Sequence, residues 1–479
     1  MTKTADAVIF ERNAAKALDD GQLRRNLRSA MTTLSQRRRT LFADTEAFEQ
    51  LRAQGESIRR RALSQLPALL EQLEGRCTAN GIQVHWAETA AEANAICLDI
   101  LRRHNARRVI KGKSMVSEEM HLNHFLEEQG IEALETDLGE YIIQLDGETP
   151  SHIIVPAIHK NKDQIARLFH ERIPDAPYTE VVEELNAIAR QELREKFRAG
   201  EAGISGVNFA VAETGTLCLV ENEGNGRMCT TAPPVHIALM GLEKVVEKLR
   251  DVPPLLRLLT GSATGQPITT YFNMITSPRR LDELDGPQEV HLVILDNGRS
   301  SIYGDAERRA TLQCIRCGAC LNHCPVYTRL GGHAYGHVYP GPIGSILTPQ
   351  LEGLDEAGVM ASASTFCGAC EEVCPVKIPF TEILRMLRNE AYAQGESEHD
   401  VKGHGYRYTT VEGLSWKSWA LYNTRPGLAR IGSQILGKLG QHLPMIGPLK
   451  EWTRTRTPPP FAPKSLHQLA QERGLDNDR

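Results

Sequence analysis

From residue 9 to about 75 the chain is dense in charge and poor in Gly and Pro, a pattern that reads as helix. Beyond residue 80 it becomes strand–helix alternation. Ile82, Val84 and Trp86 alternate as on a half-buried strand, and Thr89 followed by Glu92 predicts a capping box that opens a helix to about 104. Arg108-Val-Ile reads as a short strand, and Ser117 is placed to cap a helix that stops at Gly130. Ile153-Ile-Val-Pro-Ala-Ile reads as a further apolar strand, followed by helices over 162–173 and 179–199. Val207–Ala212 and Thr216–Val220 read as two strands around a tight Glu213-Thr-Gly turn. A long helical stretch is expected over about 236–259, then strands at 269–276 and 289–295. Strands interleaved with helices predict an α/β domain with a largely parallel sheet.

The pattern divides the chain into a helical N-terminal segment (1–75), the α/β domain (76–300), a short Cys-dense module (305–390) that is small and α-helical, and a C-terminal region (391–479). Residues 401–479 hold twelve Lys and Arg against five Asp and Glu, in a chain of net charge −5. This basic tail carries Trp416, Trp419 and Trp452 and is broken by Pro426, Pro444, Pro448 and Pro458-Pro-Pro. It suits partner docking or peripheral contact with a membrane surface, or simply wraps its own α/β domain. Arg37-Arg38-Arg39 and Arg59-Arg60-Arg61 read as solvated helix faces, with docking of an acidic partner as the alternative. The overall charge gives no case for nucleic acid, and no apolar run approaches the ~18 residues of a spanning helix. Met1-Thr-Lys-Thr-Ala-Asp lacks a signal-peptide apolar region, so the expected location is the cytoplasm, with peripheral association at the inner membrane as an extension.

Seven of eleven cysteines fall between 314 and 374. Cys314, Cys317, Cys320 and Cys324 follow C-x2-C-x2-C-x3-C with Pro325 behind; Cys367, Cys370 and Cys374 with Pro375 form a second, partial copy. This is the pattern of two-cluster ferredoxins, in which the last Cys of each run reaches the other cluster. The third close Cys and the trailing Cys-Pro favour iron–sulfur over a zinc ribbon or a disulfide staple. Crossing assigns Cys314, Cys317, Cys320 and Cys374 to cluster one, and Cys324, Cys367 and Cys370 to cluster two. The missing eighth position is Ser364. Cluster two is then a [3Fe–4S] centre, a [4Fe–4S] centre with Ser364 or another non-Cys ligand, or a [4Fe–4S] centre with an open iron; His333 and His337 are nearby candidate donors. The remaining Cys77, Cys97, Cys218 and Cys229 read as buried small hydrophobes.

Three loops of the α/β domain concentrate small and polar residues: Lys111-Gly-Lys-Ser-Met, Glu213-Thr-Gly-Thr and Glu221-Asn-Glu-Gly-Asn-Gly-Arg227. Each suits a plain turn; together at strand ends they suggest a small anionic ligand, with the lysines of the first loop, Lys111 and Lys113, and Arg227 as its cations. Glu135, Asp137 and Glu140 are candidate acids or bases without fixed geometry. No Walker A, GxGxxG, HExxH or Ser-His-Asp order is present.

Pro150-Ser-His-Ile-Ile-Val-Pro-Ala-Ile-His-Lys-Asn, Gly206-Val-Asn-Phe-Ala-Val-Ala-Glu-Thr-Gly-Thr, Asn222-Glu-Gly-Asn-Gly-Arg and the two cysteine segments, 314–327 and 367–376, resemble the lactate-utilisation protein B family over nearly the whole chain. The resemblance implies an α/β part of the sugar-phosphate isomerase and CoA-transferase type. It also implies two iron–sulfur clusters on the seven cysteines, and a role beside two other subunits in oxidising L-lactate to pyruvate. On this reading the chain is the electron-transfer subunit of an L-lactate dehydrogenase complex, passing electrons to a quinone or a partner cluster. No catalytic acid or base is implied. The alternatives are an iron–sulfur oxidoreductase for another 2-hydroxy acid with its site in the α/β domain, and a redox-sensing scaffold.

Overall fold

Six strands build a sheet in which every neighbouring pair is parallel: β1 (Gln83–Ala87), β2 (Arg108–Lys111), β3 (Glu132–Glu135), β4 (Ala202–Gly206), β7 (Val235–Gly241) and β10 (Glu289–Leu295), in the order β1-β10-β7-β4-β2-β3. A second sheet holds β8 (Val245–Val246), β5 (Phe209–Val211), β6 (Thr216–Glu221) and β9 (Tyr271–Ile275) in that order, with β5–β6 and β6–β9 antiparallel. The computed structural model describes residues 5–396, 410–439, 450 and 462–474. Residues 3–405 form one unit and Tyr406–Arg479, with the first two residues, another.

The largest departure from the sequence pattern is at 236–259. It is not one helix: Val235–Gly241 is a strand buried at all seven positions, and the helix begins only at Val252. A strand covered on both faces reads as a continuous apolar run, which periodicity cannot separate from buried helix. The run at 153–158 is not a strand either. It forms bends and turns, with the Ser151 N–H bonded to the Pro156 carbonyl. Ser114, not Ser117, caps the helix after β2, and His121 at φ +51° divides that stretch into Met115–Glu119 and Leu122–Glu128. Thr89 Oγ1 accepts from the Glu92 N–H as expected, whereas the Glu92 carboxylate reaches the Glu88 N–H. Trp86 is exposed because β1 lies at the sheet edge.

Four helices precede the sheet: Ala5–Asp19, Gly21–Leu41, Thr45–Ser64 and Leu66–Ala79. They are not simply solvated. Arg59 is fully buried and donates to the carbonyls of Glu243, Val245, Leu312 and Gln313. Arg38 is buried and donates to the Val373 carbonyl, and Arg52 to that of Cys374. Arg61 pairs with Glu247 and Asp251, while Arg37, Arg39 and Arg60 face solvent. The same core joins Leu27, Met31 and Ile58 of these helices, Phe209 and Val211 of the second sheet, and the cysteines of the metal module. The cysteine loops therefore fold against the rest of this unit rather than alone.

The C-terminal unit contributes helices Thr410–Thr424, Pro426–Leu439 and Leu466–Glu472. The Trp416 and Trp419 rings meet edge to face at 5.9 Å and both are exposed. Trp452, Pro444, Pro448 and Pro458–Pro460 lie outside the described residues. Among the described residues no helix is long and apolar enough to cross a membrane.

Candidate metal centre

The two cysteine runs are related by an offset of fifty residues, and the backbone repeats with them. Arg316 and Phe366 take positive φ, +61° and +54°, one residue before Cys317 and Cys367; Gly318 and Gly368 follow at +74° and +78°. These left-handed steps curl each loop so that its thiols converge. Short helices Ala319–His323 and Ala369–Glu372 then carry Cys320 and Cys370 inward.

The loops enclose two separate cavities. One is walled by Cys314, Cys317, Cys320 and Cys374 with the apolar side chains of Ile343 and Phe380. The other is walled by Cys324, Cys367 and Cys370, with Ser364 at its edge. The last Cys of each run thus sits in the cavity of the other run. Six of the seven thiols are buried, Cys367 is exposed, and none is in a disulfide. Backbone N–H groups point at sulfur: Arg316 to Cys314 Sγ at 3.4 Å, Tyr327 to Cys324 Sγ at 3.5 Å and Ile378 to Cys374 Sγ at 3.4 Å. Burial pushes the thiol pKa of Cys374 up to about 11 and of Cys370 up to about 12. A bare thiolate is costly in such an apolar pocket, whereas an iron-bound sulfur is compensated by the metal. Soft donors, two converging sets and N–H groups aimed at sulfur fit an iron–sulfur group in each cavity.

Ser364 occupies the place that Cys314 holds in the first run. Its Oγ accepts the Phe366 N–H at 3.2 Å, as Cys314 Sγ accepts that of Arg316. His333 and His337 do not line this cavity: His333 Nε2 meets the Thr149 carbonyl at 2.7 Å, and His337 pairs with Glu352 at 3.0 Å. We expect Ser364→Cys to supply a fourth thiolate. EPR of the reduced protein should change at the second site and remain as wild type at the first; an unchanged spectrum would show that residue 364 does not face the metal.

The two sites differ in charge. Arg38 acts on Cys317, Arg52 on Cys374, and Arg59, Lys244 and Arg316 on Cys314. At the second site Arg388 donates to the Ser364 carbonyl, and the charges acting on Cys324 and Cys370 are those of neighbouring cysteines. Cys370 of the second site acts on Cys320 of the first, so the two sites adjoin.

A cavity of about 360 Å³ opens beside the first site. It lies at the carboxyl ends of β2 and β4, whose onward connections run in opposite directions, the place where open α/β sheets bind ligands. Gly206 permits the closeness of the β2 loop, since a Cβ there would stand 3.1 Å from Ser114 Oγ. The Lys111–Met115 and Glu221–Arg227 loops both contribute, through Gly112–Met115 and Glu221–Gly226; the Glu213–Thr216 turn instead packs on Arg76 and Cys77.

Two cations expected to face a ligand do not. Lys111 is fully buried and paired with Glu135 at 2.6 Å and Glu118 at 3.3 Å. Arg227 lies over the Tyr271 ring, 4.9 Å from its centroid, outside the cavity lining. Burial and the neighbouring Glu135 raise the pKa of Glu140 well above the ordinary carboxylate value, while Asp137 reaches the cavity. The cations that do line the cavity are Lys113, the second lysine of the expected anion loop, and Lys244 and Arg316, which did not stand out as ligands in the sequence. Glu243, whose pKa Arg299 and Arg316 hold near 2 against burial, anchors Arg316 at 3.3 Å. Burial, with Arg316 beside it, lowers Lys244 to about 8. Burial, with Asp137 beside it, raises Glu223 to about 7. Ile153 lines both this cavity and the first cysteine cavity.

Paired cysteine cavities that share a core with the second sheet of an α/β domain define an iron–sulfur protein with an α/β partner domain. Matches to known families agree: the LUD domain over residues 70–295, the 4Fe-4S dicluster domain over 310–378 and the lactate utilisation protein B C-terminal domain over 386–475. The chain is 42% identical to "Lactate utilization protein B" of Bacillus velezensis over 458 residues, 93% of each chain. It is 41% identical to the protein of that name from Bacillus subtilis (strain 168), over 93% of this chain and 92% of the relative. It is also 42% identical to "Uncharacterized electron transport protein YkgF" of Escherichia coli (strain K12), over 88% of this chain and 86% of the relative. The chain belongs to the lactate utilization protein B family.

Proposed function

We propose that this chain is the iron–sulfur electron-transfer subunit of a multi-subunit system that oxidises L-lactate to pyruvate. The carrying observation is the pair of adjoining cavities, walled by Cys314, Cys317, Cys320 and Cys374 and by Cys324, Cys367 and Cys370. An iron–sulfur cluster in each supplies one-electron storage, and lactate oxidation releases two electrons. The nuclearity of the second cluster follows from what fills the Ser364 position. Cations around the first site favour an added electron there, and the exposed Cys367 makes the second site the exchange point with a partner's cluster or a quinone. An arginine-lined cleft of about 790 Å³, with Arg24, Arg25, Arg28 and Arg39 facing His323 and Arg329, suits the acidic surface of another lactate-utilisation subunit. The basic tail, with Trp416 and Trp419 exposed, is the segment through which a membrane surface would be met.

A second reading places the lactate carboxylate in the cavity beside the first site. Its support is the shared wall at Ile153 and the cations Lys113, Lys244 and Arg316. One anaerobic experiment tests both. The chain is isolated with its native partners, L-lactate is added, and cluster absorbance and EPR are followed together. Rapid bleaching with a new EPR signal is expected; clusters inert to lactate but reducible by dithionite would overturn the electron-transfer reading. If the carboxylate binds here, Lys244→Gln raises the lactate concentration needed for half-maximal bleaching about tenfold, one ion pair's worth of roughly 1.4 kcal/mol. Unchanged lactate dependence would remove the second reading and leave the first intact.

A further inference from the structure

We propose that His104, Glu289 and His291 form a divalent-metal site, zinc by its donor chemistry, at the amino-terminal edge of the parallel sheet. Glu289 opens β10, and His291, two residues on, projects from the same face of the strand. His104 ends the helix Ala90–Arg103 that packs above it. The three donor atoms lie within 4.8 Å of one another. His104 Nε2 stands 3.3 Å and His291 Nε2 3.4 Å from Glu289 Oε2. Zinc bonds of about 2.0–2.1 Å in a tetrahedron place neighbouring donors about 3.3–3.4 Å apart, so two edges of the polyhedron are already formed.

The second observation is His291 itself. Its side chain is completely buried, and among the described residues its Nε2 has no hydrogen-bond partner, only the longer approach to Glu289 Oε2. The other ring nitrogen, Nδ1, meets His85 Nε2 at 3.1 Å. One nitrogen of that pair must accept. If His291 donates there, its Nε2 carries a lone pair aimed at Glu289 and His104, the arrangement in which a second-shell partner fixes the tautomer of a metal-binding imidazole. Gln83 Nε2 donates to Glu289 Oε2 at 3.1 Å and holds the carboxylate on this side. Two imidazoles and one carboxylate, without a thiol, are a zinc donor set of the kind that keeps a fourth position open. His104 and Glu289 are partly exposed, so that position faces solvent. The site lies at the amino ends of the strands, whereas the ligand cavity lies at their carboxyl ends, and it does not depend on the electron-transfer reading.

The test uses the cluster-loaded full chain, dialysed against micromolar zinc, with zinc and iron counted together by mass spectrometry. One zinc per chain with iron unchanged is expected. His104→Ala and Glu289→Gln, both at partly exposed positions, should weaken zinc binding about tenfold or more with iron again unchanged. His291→Ala should abolish it, and the two partly exposed variants keep the test decisive if that one fails to fold. Absence of bound zinc, equal zinc in the His104→Ala and Glu289→Gln variants, or zinc gained only as iron is lost would overturn the proposal; the last would place the zinc on the cysteines.

Discussion

Cys317→Ser is expected to empty the first iron–sulfur site and to lower the stability of the whole unit. Cys317 is buried in a cavity whose other donors come from its own run and from Cys374. A serine oxygen is shorter, harder and more basic, a poor replacement for a thiolate toward iron. Structural zinc contributes on the order of 10 kcal/mol to the folding of small peptides, and a loss of that order is expected here because ligand binding and folding are one equilibrium. The cavity belongs to the core that also packs Leu27, Ile58 and Phe380, so the loss is not confined to a loop. With one cluster in each cavity, as proposed, iron content should fall by about half. The melting temperature should fall by about 10 °C, at roughly 1 °C per kcal/mol for a unit spanning residues 3–405, because the entropy of unfolding scales with length. Full iron with wild-type melting would remove Cys317 from the ligand set.

Arg59→Met should have an effect of similar size without touching a ligand. The Arg59 guanidinium satisfies four carbonyls on two segments: Glu243 and Val245 after β7, and Leu312 and Gln313 just before Cys314. Burial lowers its pKa to about 10, so it remains charged at neutral pH. Methionine fills much of the volume but leaves those carbonyls without donors in a dry core. The expected cost is about 3–5 kcal/mol, the range for breaking a buried charged network. Because the same contacts position the Cys314 loop, iron should be lost at lower denaturant concentration than in wild type. Arg59→Lys should recover little, since an ammonium cannot match a planar fork spread over two segments. A midpoint shift worth less than about 1 kcal/mol would mean that the carbonyls find other donors, as surface groups do.

Arg59 also shows where reading the chain stops. Arg59-Arg60-Arg61 has the composition of a solvated face, and Arg60 is one. Burial of Arg59 depends on carbonyls about 180 and 250 residues away, for which local sequence carries no signal. Lys111 reads as an exposed cation in a Gly-rich loop, yet Glu135 and Glu118 fold over it. Lys244 carries no motif; it reaches the cavity because β7 ends one turn earlier, and β7 itself reads as helix. Two cavity cations do lie in legible motifs: Lys113, in the loop after β2, and Arg316, inside the first C-x2-C.

Legible in the residue order alone are the two cysteine runs, the missing thiol at Ser364, the alternation that makes a parallel sheet, and the family. These are local or strictly spaced patterns: thiolate chemistry and turn geometry act over a few residues, and the fifty-residue offset preserves them. Tertiary structure alone decided which cations surround the first site, which loops share a cavity, and that His104 meets Glu289 and His291. Those pairings join segments tens to hundreds of residues apart, and their energies arise only when burial removes water and leaves each charge or lone pair dependent on the partner that the fold brings to it.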